Sequence, residues 1–522
     1  MTARRADVII VGAGSGGCVA ARRLLDAGLR VLLLEAGGRD THPFIRPPAG
    51  FPRLFRSAVD WNFQTVPQPC ADGRQFYWPR GKVLGGSSAI NATIYIRGSK
   101  RDFDGWGEGW TWADVLPAFR DLEDFRGEAS GTRGTGGKLP TGARAASHPL
   151  SHAFVTAAAT ALHVPEAQSF NDGVLEGAGL LESNHRNGER YSAFRAFLQP
   201  VLRHPNLTVL TGAHVLELLW EGTRAAGVRL RWRGRTLDAP AGGVIVATGA
   251  VQTPQLLMLS GIGPRAELER HGLGVRRDLP GVGQGLQDHL AVPVVFRSHS
   301  PSLEAVPEAL ALAQYLWNRN GPLASNIAEA AAFTHARSGP ATGDPDLQFH
   351  FGPAYFRDHG FTRETGHHFT VGPVLVAPHS RGQVTLASRD PLSAPRIDPR
   401  YLSAGADLER LVAGVRLARE IAGTPPLLAH RRGEALPGSG VRSDGALAAH
   451  VRAESATLYH PVGTAALGDS DDAVVDRTLA VRGVEGLWIA DASVMPRIIH
   501  ANTNATSMMI GARAAQFVEQ AL

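Results

Sequence analysis

A glycine-rich turn near the start of the chain restricts its fold more than any other feature. An apolar run at 7–11 leads into the sequence GAGSGG, followed by a stretch with helical spacing of apolar residues and then by VLLLE at 31–35. Strand, turn, helix and strand in this order predict a βαβ unit of a parallel sheet. The helix N-terminus in such a unit points its free N–H groups at a bound anion, so the sequence predicts a phosphate-binding site.

The individual residues of this turn fit a dinucleotide cofactor. Gly12 permits a tight turn, Gly14 lets the backbone approach a pyrophosphate, and Gly17 lets helix and strand pack closely. Glu35 ends the second strand, where its carboxylate can accept hydrogen bonds from an adenosine ribose. An acid here, with no arginine next to it, disfavours a 2′-phosphate but leaves NAD and FAD both open.

Composition excludes several other classes of protein. The chain has 522 residues, 43% of them hydrophobic and 19% charged, which predicts roughly two to four globular domains and excludes collagen, coiled coils and disordered tails. The net charge of +5 arises from 50 arginines and 3 lysines set against 48 acids. Because these charges are scattered and form no basic run, we expect no nucleic-acid partner and disfavour a basic binding protein.

Cysteine usage and hydropathy bear on the cellular compartment. Only Cys18 and Cys70 occur, so no disulfide framework or thiolate metal cluster can form, and we expect no metal site. Few cysteines favour a reducing, cytoplasmic compartment. We expect neither a signal peptide nor a transmembrane helix, because glycines interrupt the first apolar run and no stretch reaches the roughly 18 apolar residues of a span.

The second half of the chain has a different pattern from the first. The segments LQFHFGPAYF, from residue 347, and GQVTLASRD, from residue 382, alternate as half-buried antiparallel strands do. Apolar residues share one face of a helix predicted over 407–422, which Gly423 and Pro425 terminate. These patterns predict a second domain of different architecture.

Six further segments occur in a characteristic order. They are GKVLGGSSAINATIYIRGSKRDFD (81–104), GAVQTPQLLMLSGIG (249–263), GVGQGLQDH (281–289), YHPVGTAALG (459–468), LWIADASVMP (487–496) and NTNATSMMIG (502–511). Together they resemble the signatures of the glucose–methanol–choline (GMC) flavin oxidoreductases, from about residue 6 to the end of the chain. The resemblance is closest to the bacterial branch that holds membrane-associated alcohol dehydrogenases and choline dehydrogenases.

This resemblance implies an α/β fold, with α+β character in the second domain. A Rossmann-like FAD-binding domain would comprise residues 1–150, 201–295 and 455–522, and would be interleaved with an antiparallel-sheet substrate-binding domain. The substrate-binding domain would comprise residues 151–200 and 296–454.

The resemblance also implies FAD as the cofactor. The residues it assigns to FAD are Gly12, Gly14, Ser15, Gly17, Glu35 and Ala36 for the ADP half, Val83, Gly85, Gly86, Asn91 and Ala92 along the flavin, and Val215, Asp491, Ala492, Asn502 and Thr503. Val215 is equally well an ordinary strand valine. Covalent members carry a histidine before the asparagine of the loop, and Ile90 stands there in this chain, so we expect non-covalent FAD.

Oxidation of an alcohol requires a base for the hydroxyl proton, while the flavin accepts the hydride at N5. His460 is the candidate base, because Pro461 biases it to an extended conformation before a turn, and an unshifted imidazole pKa of about 6.5 suits this role. The His–Asn pair of the GMC enzymes maps to His460 and Asn504, with Asn504 orienting the alcohol oxygen. Asn502 precedes an apolar helix, so a plain helix cap is its alternative role.

Glu329 and His350 are the candidate substrate-pocket residues, by the same resemblance. Glu329 could meet a quaternary ammonium, as a carboxylate does in choline-oxidising relatives, or be a structural acid. We therefore expect a primary alcohol, aliphatic or aryl, with choline as the alternative and a flavin-containing lyase as a remoter one. The electron acceptor would be a quinone or oxygen, and no sequence feature distinguishes between them. Any contact with the inner face of the membrane would be peripheral. The particular alcohol and the oligomeric state stay open.

Overall fold

The computed structural model describes residues 6–128, 130–143, 147–337 and 343–522. The predicted FAD-binding segment 1–150 is thus described without residues 1–5, 129 and 144–146, and the predicted substrate segment 296–454 without residues 338–342, which lie outside the described residues. The helices are α1 Ser15–Asp26, α2 Lys100–Asp104, α3 Trp112–Leu122, α4 Pro149–Leu162, α5 Gly249–Leu259, α6 Arg265–Arg270, α7 Glu308–Asn318, α8 Gly405–Ala422, α9 Asp444–Glu454 and α10 Asn504–Ala521.

The first sheet has the predicted βαβ unit at its centre. Its strands lie in the order Leu207–Thr211, Val31–Glu35, Ala6–Val11, Arg235–Val246, Arg224–Trp232 and Ala213–Glu221, with Leu487–Ile489 also beside Arg235–Val246. The strand Ala6–Val11 pairs in parallel with both of its neighbours, and its last four residues are buried. The apolar runs of Ala6–Val11 and Val31–Glu35 reflect burial of both sheet faces at the centre of the sheet.

The second sheet is antiparallel. Its main strands lie in the order Arg431–Leu436, Val294–Ser298, His368–Leu375, Leu347–Gly352, Ala330–Thr334 and Gly177–Leu180, and the short strands Leu290–Ala291 and Ala456–Thr457 extend it. The helices α4 and α8 pack against it and against each other. The predicted strand at 382 forms as Gly382–Thr385, but it belongs to a separate three-stranded sheet with Gln284–Leu286 and Arg396–Asp398.

Four two-stranded pairs complete the strands of the described residues. They are Phe63–Gln64 with Tyr77–Trp78, Glu123–Phe125 with Leu139–Thr141, His185–Arg186 with Glu189–Arg190, and Ile262–Gly263 with Arg277–Asp278.

Each of the two large sheets has its own hydrophobic core. One core contains the buried strands of the first sheet with α1 and α10, and the other contains the second sheet with α4 and α8. The α/β expectation with a second, antiparallel domain is confirmed. The residue boundaries of the two domains stay a prediction, and the short strands at 290–291 and 456–457 extend the second sheet from segments assigned to FAD binding.

The first and last helices cross at very short range. A Cβ added at Gly511 of α10 would lie 2.3 Å from the carbonyl oxygen of Gly16 in α1. A Cβ at Gly16 would lie 1.9 Å from the carbonyl oxygen of Ala490. Glycine is therefore required on both helices, and the crossing holds the start of α10 beside the start of α1. Among the helices of the described residues, none combines the length and apolar character needed to cross a membrane.

Candidate active site

A cavity of about 360 Å³ lies where the parallel strands of the first sheet end. Its walls include Val11, Leu34 and Ala247, which lie at or just beyond the carboxyl ends of three neighbouring strands. Open α/β sheets bind their ligands at this edge. The far wall of the cavity is supplied by the second sheet, through residues such as His350 and Thr370. The site therefore lies between the two sheets.

The predicted phosphate cradle lines one end of this cavity. Gly12 has φ +99°, and a Cβ there would lie 2.4 Å from the carbonyl oxygen of Ala247, so the turn itself requires glycine. A Cβ at Gly14 would meet no atom closer than 3.8 Å, and Gly14 and Ser15 both line the cavity. The protein thus does not require glycine at position 14, and the space beside it is available to a ligand. A Cβ at Gly17 would lie 2.0 Å from a carbonyl oxygen of the turn, so Gly17 serves helix packing as predicted.

Glu35 lies beside the cradle with both carboxylate oxygens occupied. Its Oε2 accepts a hydrogen bond from the backbone N–H of Ala13 at 3.0 Å, and its Oε1 accepts from that of Gly37 at 2.7 Å. Burial raises the pKa of the Glu35 carboxyl to about 7. Glu35 and Ala36 both line the cavity, so the second lone pair of each carboxylate oxygen is available to the hydroxyls of a ribose.

The second glycine-rich loop, residues 81–92, closes over the cradle. The backbone N–H of Gly85 donates to the carbonyl oxygen of Ala13 at 2.8 Å, which ties this loop to the first. Gly86, Asn91 and Ala92 line the cavity, whereas Val83 and Gly85 lie behind the cavity wall of the described residues. These two predicted residues therefore support the loop from behind.

His460 is held by groups that contact both its backbone and its ring. Its backbone N–H donates to Oδ1 of Asp288 at 2.7 Å, while Oδ2 of Asp288 accepts from the hydroxyls of Thr457, at 2.6 Å, and Tyr401. Burial raises the pKa of Asp288 to about 6. The ring of His460 contacts His289, with 3.0 Å between the two Nδ1 atoms.

The hydrogen bonds of the ring select one tautomer of His460. Nδ2 of Asn502 lies 3.2 Å from Nε2 of His460, and an amide nitrogen only donates, so Nε2 is the acceptor. The ring proton of His460 is therefore on Nδ1, from which it donates to Nδ1 of His289. This tautomer leaves the lone pair of His460 on Nε2.

Burial keeps the imidazoles of this site neutral. It lowers the pKa of His460 well below its ordinary value, and the neighbouring His289 and His350 lower it further. Burial also lowers the pKa of His289 to about 3 and that of His350 to about 4. The candidate base is thus more strongly shifted than the unperturbed value of about 6.5 considered from sequence. The direction of the shift favours the unprotonated imidazole that a base requires.

The amide that contacts His460 is Asn502, and the predicted pairing with Asn504 is not found. The helix α10 begins at Asn504, and the Oδ1 of that residue accepts a hydrogen bond from the hydroxyl of Ser15 at 2.7 Å. Thr503 is the residue at the helix cap, so Asn502 precedes the cap and is free to turn towards His460. The start of α10 thus decides which of the two asparagines contacts the base.

The two candidate pocket residues lie in different environments. His350 lines the cavity. Glu329 is buried outside the cavity wall of the described residues, and accepts hydrogen bonds from the backbone N–H of His148 and the hydroxyls of Ser151 and Ser325, at 2.7, 2.8 and 2.7 Å. The prediction of Glu329 as a pocket residue is therefore wrong for this structure, because its carboxylate is directed at the start of α4 and its own loop.

The structure also gives an independent test of whether the cavity fits a dinucleotide. The remaining predicted cofactor residues Val215, Asp491, Ala492, Asn502 and Thr503 all line it. Four buried polar atoms in its wall have no hydrogen-bond partner among the described residues, namely Oγ1 of Thr93, Nε2 of His350, Oδ1 of Asn502 and Nδ2 of Asn504. Because buried polar atoms are nearly always paired, these atoms and the open space at Gly14 fit a polar ligand along the whole cavity.

Sequence reasoning missed two residues that hold the base. Asp288 and His289 both belong to the segment GVGQGLQDH, one of the six segments that carry the family resemblance. The sequence signal that could have identified them is an acid followed directly by a histidine, just before a strand of the second sheet. No spacing rule connects them with a histidine 171 residues later.

Comparisons with known proteins agree with this geometry. Two models of one family, both described as GMC oxidoreductase, match residues 6–291 and 378–511. The chain is 41% identical over 530 residues to an alcohol dehydrogenase (acceptor) of Pseudomonas putida, covering 98% of this chain and 95% of that protein. It is 40% identical over 531 residues to an oxygen-dependent choline dehydrogenase of Brucella anthropi, with 98% and 95% covered. The crystal structure of pyridoxine 4-oxidase from Mesorbium loti superposes with a TM-score of 0.90 at 32% identity, over 98% of this chain and 99% of that one.

Proposed function

This chain belongs to the GMC oxidoreductases, FAD-dependent enzymes that act on the CH–OH group of alcohols, and we propose that it oxidises a primary alcohol to the aldehyde with His460 as the base. The observation that carries the proposal is the neutral, tautomerically fixed imidazole of His460 in the wall of the cavity.

In the proposed reaction, Nε2 of His460 takes the proton of the alcohol hydroxyl. The amide Nδ2 of Asn502 lies at the hydrogen-bonding position of Nε2, 3.2 Å away. When the hydroxyl replaces it there, the amide N–H donates to the alcohol oxygen instead and stabilises the developing negative charge. Asn502 thereby takes the orienting role that the sequence assigned to Asn504.

His289 acts as a positioning residue in this proposal. By accepting the Nδ1 proton of His460, it keeps the lone pair on the nitrogen that meets the substrate. Asp288 fixes the backbone of the same residue, so the ring is held from two sides.

FAD, when bound, supplies the acceptor for the hydride that leaves the carbon bearing the hydroxyl group. Gly14, Ser15 and Glu35 would hold its ADP half, and Gly86, Asn91 and Asn504 line the cavity further along. We propose non-covalent attachment, because Ile90 lines the cavity where covalent relatives carry a histidine, and an alkyl side chain cannot form that bond.

The substrate end of the cavity supports an apolar alcohol. Phe51, Phe55, Phe356 and Tyr459 line it, and the ring centroids of Phe55 and Tyr459 lie 5.4 Å apart. The charged residues Arg357, Asp358 and Glu454 also line the cavity, and Arg357 pairs with Glu454. The carboxylate of Glu329, which could have met a quaternary ammonium, is outside the wall and accepts hydrogen bonds from His148, Ser151 and Ser325. We therefore propose an aliphatic or aryl primary alcohol. Choline is the second candidate, because aromatic faces also bind quaternary ammonium groups. The electron acceptor is proposed to be a quinone or oxygen, and contact with the inner face of the membrane is proposed to be peripheral.

Anaerobic mixing of the purified flavoprotein with primary alcohols and with choline tests the proposal. Flavin absorbance should bleach with an alcohol, and His460→Ala should slow bleaching at least the ~100-fold expected for a lost base. The control is His152→Ala, at an exposed histidine of α4. Absence of bleaching with every alcohol would contradict the dehydrogenase function. An unchanged rate in His460→Ala would contradict the assigned base. Adding oxygen or a quinone analogue afterwards separates the two acceptors.

A further inference from the structure

The helix α7 exposes a continuous apolar face. Leu310, Leu312, Leu316 and Trp317 are 61, 42, 62 and 91% exposed, and only Ala311 and Tyr315 of this helix are buried. At 100° per residue the four exposed side chains fall within one side of the helix, opposite the buried pair. An apolar face of this size on one surface helix indicates an interaction site.

Basic side chains surround this apolar face at both ends. At the start of α7, Arg53 and Arg363 share the single carboxylate of Glu308. At its end, Arg319 and Arg46 share the carboxylate of Glu189, and Arg319 also lies over the ring of Tyr315. With Arg195, which also pairs with Glu189, and Glu304, which lies near Arg363, five arginines face three glutamates, so the border of the patch carries an excess of positive charge.

We propose that α7 is an interfacial helix that docks the enzyme on an anionic lipid surface. Helices of this kind bury leucine and tryptophan at the boundary between headgroups and acyl chains and place arginines among the headgroups. The positive border complements the negative charge of a cytoplasmic membrane leaflet. A second copy of the chain is a less favourable partner for this face, because a two-fold interface through α7 would bring two positively charged borders together.

The docking face adjoins the apolar end of the cavity. Arg53, which pairs with Glu308 of α7, ends the short helical turn Pro48–Arg53, and Phe51 in that turn lines the cavity. Docking would therefore bring the cavity wall formed by Phe51, Phe55 and Phe356 close to the lipid surface. This surface assignment rests on the proposed peripheral membrane contact and names the face that makes it, but it does not depend on the proposed reaction.

Co-sedimentation of the full-length protein with phosphatidylcholine vesicles, with and without phosphatidylglycerol, tests the docking face. Binding should require phosphatidylglycerol and weaken as salt is raised, because part of it is electrostatic. The double variant Leu316→Ser/Trp317→Ser should bind at least about tenfold less. The control is Leu237→Ser, which changes a leucine that is 41% exposed on the first sheet. Thermal unfolding should show that both variants remain folded.

Three results would overturn the proposal. The first is no sedimentation of the wild type with phosphatidylglycerol vesicles at low salt. The second is equal vesicle binding by the wild type and the double variant. The third is a dimer in light scattering that the double variant dissociates, since the face would then belong to a second copy. Loss of alcohol oxidation, with vesicle binding intact, would affect only the proposed reaction.

Discussion

Replacing His289 tests whether the tautomer of the base is set by its neighbour. His289→Leu removes the acceptor of the Nδ1 proton of His460 and keeps a side chain of similar size. His289→Asn retains an oxygen near the position of the Nδ1 atom. If His289 acts through its acceptor, only the leucine variant should impair proton transfer.

The size of the effect follows from the burial of the pair. The two Nδ1 atoms are 3.0 Å apart and both residues are buried, so the leucine variant leaves a buried donor unpaired. Such a group costs about 1–3 kcal/mol, which corresponds to a decrease in kcat/KM of roughly 5- to 150-fold if it acts on the transition state. The rate of flavin reduction under anaerobic conditions is the direct measurement.

The pH dependence of kcat/KM gives a second measurement on the same variants. The pKa of His460 is lowered by burial, so in the wild type its imidazole is unprotonated at neutral pH. Activity that needs this base is therefore present above the lowered pKa and is lost as the pH falls through it. We expect a flat profile between about pH 6.5 and 8 and a decline only in more acidic solution.

Two outcomes would refute the reasoning about His289. One is a leucine variant with wild-type kcat/KM. The other is an asparagine variant as impaired as the leucine variant at equal melting temperature, because that result would show that packing, and not hydrogen bonding, is what His289 supplies. A wild-type profile that already declines between about pH 8 and 6.5 would refute the direction of the pKa shift.

Three further comparisons each use a pair of measurements. Gly14→Ala should weaken FAD retention, measured by ultrafiltration, without lowering the melting temperature of the cofactor-free protein, whereas Gly17→Ala should destabilise the fold by about 1–3 kcal/mol. Asn502→Ala should lower kcat/KM by about 10²- to 10³-fold, and Asn504→Ala should instead weaken FAD retention at near-normal turnover of the FAD-loaded fraction. Glu329→Gln should lower the free energy of unfolding by about 1–3 kcal/mol, by chemical denaturation, and leave the KM for primary alcohols and for choline unchanged.

Individual strands and helices could be predicted from the sequence, because the residue patterns that define them lie within short stretches of chain. The strand predicted at 7–11 is Ala6–Val11, the strand at 31–35 is Val31–Glu35, and the helix predicted over 407–422 is Gly405–Ala422. Each of these elements is marked by a regular spacing of apolar residues, or by a glycine that ends it, within a few residues of the chain. The separate sheet that contains Gly382–Thr385 was not readable, since its partners come from residues 284–286 and 396–398.

Site residues could be predicted from the sequence only where their immediate neighbours in the chain indicate their role. His460 is marked by the proline after it, but the choice between Asn502 and Asn504 depends on where α10 begins. Glu329 directly precedes the strand Ala330–Thr334, and the turn before that strand directs its carboxylate towards Ser325 and α4 instead of the cavity. These outcomes depend on contacts between distant segments, which composition and periodicity do not contain.

The crossing of α1 and α10 also sets the order of events during synthesis of the protein. Ser15 and Asn504 are hydrogen-bonded to each other and lie 489 residues apart in the chain. At 5–20 residues per second, a ribosome needs roughly half a minute to a minute and a half to travel that distance. Throughout that interval the nascent chain carries a phosphate cradle without the helix that packs against it. Loading of the cofactor into the complete site is therefore a late step in biosynthesis, because a chain that stops before α10 lacks Asn504 and Ser507 of the cavity wall.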